Sequence, residues 1–116
     1  MFSIEIAGLK INIDNKFSFV EAQCSDYFCS PDGADFTVSA TKEEIERERI
    51  ASDSEFSDGY LESICIYRAI AKKLPSYNAF VMHSAVIEYE NKAYCFAAKS
   101  GTGKTTHILL WQKGFG

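Results

Sequence analysis

Seven residues, Ser100-Gly101-Thr102-Gly103-Lys104-Thr105-Thr106, combine glycines, hydroxyls and a lysine in an order suited to phosphate chemistry. Gly101 and Gly103 let the backbone curl so that successive N–H groups point at phosphate oxygens. Lys104 brings a point charge to the β and γ phosphates, and Thr105 offers a hydroxyl to Mg²⁺. From Ala98 to Thr105 the sequence follows the phosphate-loop pattern G-x-x-x-x-G-K-[ST], except that Ala98 replaces the first glycine. A methyl group fits there because the chain is still leaving an extended strand.

Such a loop works only between a buried strand and a helix. Tyr94-Cys95-Phe96-Ala97 supplies the expected strand, and a helical run from Lys104 to Lys113 follows, with Gly114 in the helix-ending place. Upstream, Ala79 to Tyr89 reads as a β segment apolar on both faces. It is joined through Glu90-Asn91 to a second segment, Lys92 to Ala98, so two adjacent buried strands are expected. Between Asn91 and Gly116 there are four lysines and no carboxylate, so the chain is locally basic where a triphosphate would lie.

Earlier in the chain, Phe2, Ile4 and Ile6 alternate with polar residues, as do Leu9, Ile11 and Ile13 after Gly8, and Phe17 and Phe19 continue the pattern. Short antiparallel strands are predicted there, with Phe36-Thr37-Val38 as one more after the Ser30-Pro31-Asp32-Gly33 turn. Thr41 followed by Glu44 is the reciprocal capping arrangement, opening a solvated helix over Glu43 to Arg49 with Ile45 and Ile50 as its apolar contacts. A core-facing helix is expected from Tyr60 to Leu74, with its stripe on Leu61, Ile64, Cys65, Tyr67, Ala71 and Leu74. Pro75 ends it, and Arg68 is expected in solvent.

The stretch from Phe80 to Gly116, FVMHSAVIEYENKAYCFAAKSGTGKTTHILLWQKGFG, resembles the HPr kinase/phosphorylase and phosphoenolpyruvate-carboxykinase-like group of P-loop proteins. It is most similar to bacterial members with an HASAV…GKAYLF…SGTGKST signature. The diagnostic order is strand, histidine, hairpin, strand, then SGxGK[ST], with the hairpin running directly into the loop. The resemblance covers about the last third of the chain.

It implies an α/β (α+β) fold in which N-terminal strands and helices, residues 1–78, lead into the start of an HPr-kinase-like P-loop domain at 79–116. It also implies that Gly101, Gly103, Lys104 and Thr105 bind the phosphates of ATP or another nucleoside triphosphate, with Mg²⁺ on Thr105; Ser100, Thr102 and Thr106 of the same loop are expected to bind with them. His83 becomes the counterpart of the histidine those kinases hold near the transferred phosphate, and so the catalytic candidate. On its own residues His83 is a single histidine in an apolar segment, the setting of a hydrogen-bonded core residue, and both readings stand at this point. His107 reads as a packing or surface residue and Lys99 as solvated at the rim of the loop.

The family carries its acidic metal-binding pair on the strand after the P-loop helix. All sixteen carboxylates here precede the loop, so the expectation is the N-terminal piece of a longer phosphotransferase acting on a protein or small hydroxyl acceptor. A non-catalytic nucleotide-binding module, or an inactive fragment, is the alternative. A net charge of −4 and a pI near 5.1 argue against nucleic acid as a partner. No apolar run reaches the ~20 residues of a membrane-spanning helix. The start Met1-Phe2-Ser3-Ile4-Glu5 lacks the basic and apolar regions of a secretion signal, and cytoplasmic placement is expected. Cys24, Cys29, Cys65 and Cys95 fit a reducing compartment, and the Cys24/Cys29 spacing reads as turn residues rather than a metal site.

Overall fold

The structure is a computed structural model and describes residues 1–97, 99 and 103–115. Helices and strands are mixed, and the chain divides into two compact units, Met1–Ala79 and Phe80–Gly116. No described helix is long and apolar enough to cross a membrane.

The first unit opens with a hairpin of β1 (Phe2–Ile6) and β2 (Leu9–Asp14), paired antiparallel from Phe2 against Ile13 to Ile6 against Leu9. Its two-residue turn, Ala7-Gly8, holds φ of 52° and 76°, a left-handed pair that matches the twist of the strands. β3 (Phe36–Ser39) completes the sheet beside β2, but in parallel, with Ile11 opposite Phe36 and Ile13 opposite Val38. The expectation of antiparallel strands throughout is therefore corrected. The intervening segment crosses over through a helix instead of returning as a hairpin arm.

That helix is α1 (Ser18–Gln23), where the alternation of Phe17 and Phe19 had predicted a strand. Phe17 stands at the N-cap position, where its own side chain cannot cap. The missing acceptor comes from far away in sequence. The fully buried Glu62 carboxylate accepts the N–H of Lys16 at 2.7 Å and that of Phe17 at 3.0 Å. Tertiary hydrogen bonding thus overrides a local pattern that favoured extension.

α2 (Lys42–Ala51) starts as predicted: Thr41 Oγ1 accepts the Glu44 N–H at 3.1 Å, and the Glu44 carboxylate accepts the Thr41 N–H at 2.8 Å. The Thr41 N–H holds the Glu44 carboxyl below the usual carboxylate range. The helix runs past Arg49 to Ala51. Ile45 is buried, whereas Ile50, also expected to make an apolar contact, is 79% exposed.

α3 (Asp58–Lys73) begins two residues earlier than predicted because Ser57 caps it, accepting the Tyr60 N–H at 3.2 Å. Its inward face centres on Leu61, Glu62, Cys65 and Ile66, with Ala69 and Ile70 packed alongside, while the expected Tyr67 lies 59% exposed. The stripe is rotated because Glu62 faces inward with the apolar residues. Burial raises the Cys65 thiol above its ordinary pKa. Arg68 is in solvent as expected, 52% exposed, and also pairs with Glu48 of α2 at 2.8 Å.

α3 packs on α1, α2 and β3, and the core joins Ile4, Ile11, Ile13, Val20, Val38, Ala40, Ile45, Leu61, Cys65 and Ile66. Gly59 permits the closest approach. A Cβ there would stand 2.8 Å from the Phe19 Cβ and 3.3 Å from that of Phe17. A short 3₁₀ turn, Leu74–Tyr77, with Pro75 near its start, follows α3.

The second unit is a hairpin and a helix. β4 (Ala85–Tyr89) and β5 (Lys92–Phe96) pair antiparallel from Ala85 against Phe96 to Tyr89 against Lys92. Glu90 and Asn91 turn with φ of 50° and 61°. The strand predicted from Ala79 is shorter, because Phe96 pairs with Ala85 and no β5 residue lies opposite the segment before it. The hairpin is also not buried on both faces. Tyr89, Tyr94 and Phe96 meet Trp111 of α4 (Lys104–Phe115), while Val86 on the other face is 52% exposed and Cys95 is exposed. Gly114 lies inside α4 instead of ending it, since it does not take the positive φ with which a glycine terminates a helix.

Candidate phosphate-binding site

The candidate loop lies between the end of β5 at Phe96 and the start of α4 at Lys104. Ser100, Gly101 and Thr102 lie outside the described residues. Gly103, Lys104, Thr105 and Thr106 are described and stand together at the junction.

Gly103 has φ of 94°, a backbone conformation that strains any residue with a Cβ, so glycine is needed immediately before the lysine. The first bond within α4 is from the His107 N–H to the Gly103 carbonyl at 2.9 Å. The N–H groups of Thr105 and Thr106 precede it and have no carbonyl to meet inside the helix. They sit at the positive end of the helix, where an anion is favoured. The Lys104 ammonium folds back and donates to the Lys99 carbonyl at 3.2 Å, so its charge stays at the loop. Thr105 is exposed on the same turn.

The donors present fit a polyphosphate: one ammonium, helix-start N–H groups and a glycine that must adopt positive φ. Thr105 offers an exposed hydroxyl oxygen on the first helical turn, a donor of the kind Mg²⁺ takes. Among the described residues, no group of three or more His, Cys, Asp or Glu side chains could by itself hold a metal ion.

His83 lies in the segment without regular structure before β4 and is exposed, so it is not a core residue. With His83 outside the strand, the strand's two-residue alternation does not decide which way its side chain faces.

His107 does more than the sequence indicated. Its Nε2 accepts the Trp111 indole N–H at 3.1 Å, and its ring meets Phe96 edge to face, with centroids 4.5 Å apart at 73°. The i, i+4 spacing of histidine and tryptophan on one helix was the available signal. Comparison with protein-family models, with curated proteins and with solved structures finds no match to this chain.

Proposed function

We propose that residues 98–106 bind the phosphates of a nucleoside triphosphate, ATP in the first instance, together with Mg²⁺. In this proposal the chain belongs to an HPr-kinase-like phosphotransferase that passes the terminal phosphoryl group to a protein or small hydroxyl acceptor. The observation that carries it is the junction itself. Lys104 opens α4 directly after a positive-φ glycine, with its ammonium turned back onto the Lys99 carbonyl across the loop. Charge-assisted bonds from that ammonium and from the helix-start N–H groups would orient the phosphates, and Thr105 would hold Mg²⁺ against them. When bound, Mg²⁺ would offset the charge of the phosphate oxygens. Four free thiols suit the reducing cytoplasm, where ATP is abundant.

Calorimetric titration of ATP·Mg²⁺ into the wild-type chain and into Lys104→Ala tests the assignment. Loss of the ammonium should weaken binding ten- to a hundredfold, about 1.5 to 3 kcal/mol. Equal affinities would reject it.

A second reading is a nucleotide-binding module without turnover. In that case ATP occupancy would change shape and nothing would be transferred. A radiolabelled ATP assay separates the two. Lys104-dependent turnover by this chain would reject the module.

A further inference from the structure

One residue touches both boundaries of the candidate loop, one through its side chain and the other through its backbone. His107 meets Phe96, the last residue of β5, with its ring, and its own N–H closes the first helical bond onto Gly103. The ring is held in turn by Trp111, whose indole N–H donates to Nε2 at 3.1 Å. Trp111 is packed on the hairpin, with ring centroids 5.8 Å from Tyr89 and 5.7 Å from Tyr94. With Nε2 accepting, a neutral imidazole carries its proton on Nδ1, so the hydrogen bond selects one ring orientation as well as one partner.

We propose that His107 is a positioning residue for the phosphate loop: bonded to Trp111 and packed edge to face against Phe96, it fixes the start of α4 against the end of β5 and thereby sets the affinity of the loop for nucleotide phosphates. This rests on the phosphate-binding assignment above. A loop whose ends are fixed gathers its N–H donors around an anion at a smaller entropic cost than one whose ends drift. An apolar residue at 107 would fill much of the same space but leave the indole N–H to water. Because the pair is exposed, the effect falls on geometry more than on stability.

Calorimetric titrations of ATP·Mg²⁺ into the full 116-residue chain compare wild type, Lys104→Ala, His107→Leu and His107→Gln. His107→Leu is expected to weaken binding about three- to tenfold, the low end for a lost hydrogen bond. His107→Gln retains an acceptor one turn before Trp111 and is expected to stay within about twofold of wild type. The indole N–H proton resonance of the single tryptophan should move upfield in the leucine variant and stay in place in the glutamine variant. Lys104-dependent wild-type binding with unchanged affinity in His107→Leu overturns the positioning role alone. Wild-type binding that is absent or independent of Lys104 overturns the phosphate assignment, and the role of His107 with it. Should His107→Leu lose helical signal, Trp111→Phe keeps the ring contact without the N–H. It should then show the same loss, and wild-type affinity in that variant overturns the proposal.

Discussion

Between Met1 and Ala79, ten apolar side chains are buried together, nine from three strands and three helices and Ala40 from the link between β3 and α2. Among the described residues from Phe80 onward none is buried, and Phe80, Leu109 and Leu110 are 76%, 58% and 62% exposed. The charge is divided as unevenly, with fourteen of the sixteen carboxylates before Phe80 and only Glu88 and Glu90 after it. The first unit is held by burial, at about 1.5 to 3 kcal/mol for each fully buried large aliphatic side chain. The second is held by a hairpin ladder and an aromatic cluster on one face of a helix, interactions worth about 1 kcal/mol each. Phosphate binding at a helix start depends on local backbone and one cation, so it does not require a deep core. The well-buried part of this chain and the part proposed to bind phosphate are accordingly different parts.

The largest effect expected in the first unit comes from Glu62. Glu62→Ala removes both acceptors of the Lys16 and Phe17 N–H groups and should cost about 3 kcal/mol in urea unfolding followed by far-UV circular dichroism. Glu62→Gln, which keeps one oxygen, should lose less. A loss under 1 kcal/mol for the alanine variant would mean that Glu62 does not hold the start of α1.

Gly59→Ala should cost about 1 to 2 kcal/mol despite the better helix propensity of alanine. The new methyl would press on the Phe19 and Phe17 Cβ atoms, which have no flexible end to move. A stabilised variant would show that α1 and α3 are not in such close contact.

The two units can also be compared in a single melt. Trp111, the chain's one tryptophan, lies in the second unit, while most helical residues lie in the first. Tryptophan fluorescence should therefore change at lower urea than circular dichroism. Coincident curves would erase the distinction.

The smallest effects concern the capping box. Thr41→Ala should cost about 1 kcal/mol by losing the acceptor for the Glu44 N–H. Because Glu44 is held below its unfolded value, its contribution is present at neutral pH and is lost as the pH falls through the folded value. Acid titration of wild type against Glu44→Gln should show the two stabilities converging at low pH.

Much of this was legible from residues with local rules. The break at Gly8, the Glu90-Asn91 turn, the three N-terminal strands that do form, the Thr41 capping box and the Gly103-Lys104 junction all depend on neighbours within a few positions. What was missed depends on distant partners. α1 needs a carboxylate forty-six positions away to accept the Lys16 N–H, and nothing in Phe17 or Phe19 announces it. Glu62 did leave a trace, a carboxylate at helical spacing from Cys65, Ile66 and Ala69 on an apolar face. The parallel pairing of β3 follows from α1 and was lost with it. The apolar neighbours of His83 predict a strand, yet among the described residues the five-residue β5 ends opposite Ala85.

Hydrogen–deuterium exchange of the full chain with and without ATP·Mg²⁺ tests most directly whether phosphate chemistry belongs to the second unit. The expected result is slower exchange in a peptide spanning residues 98–107, absent in Lys104→Ala, with peptides from Met1–Ala79 unchanged. Protection confined to the first unit, or protection at 98–107 that survives the loss of Lys104, would contradict it.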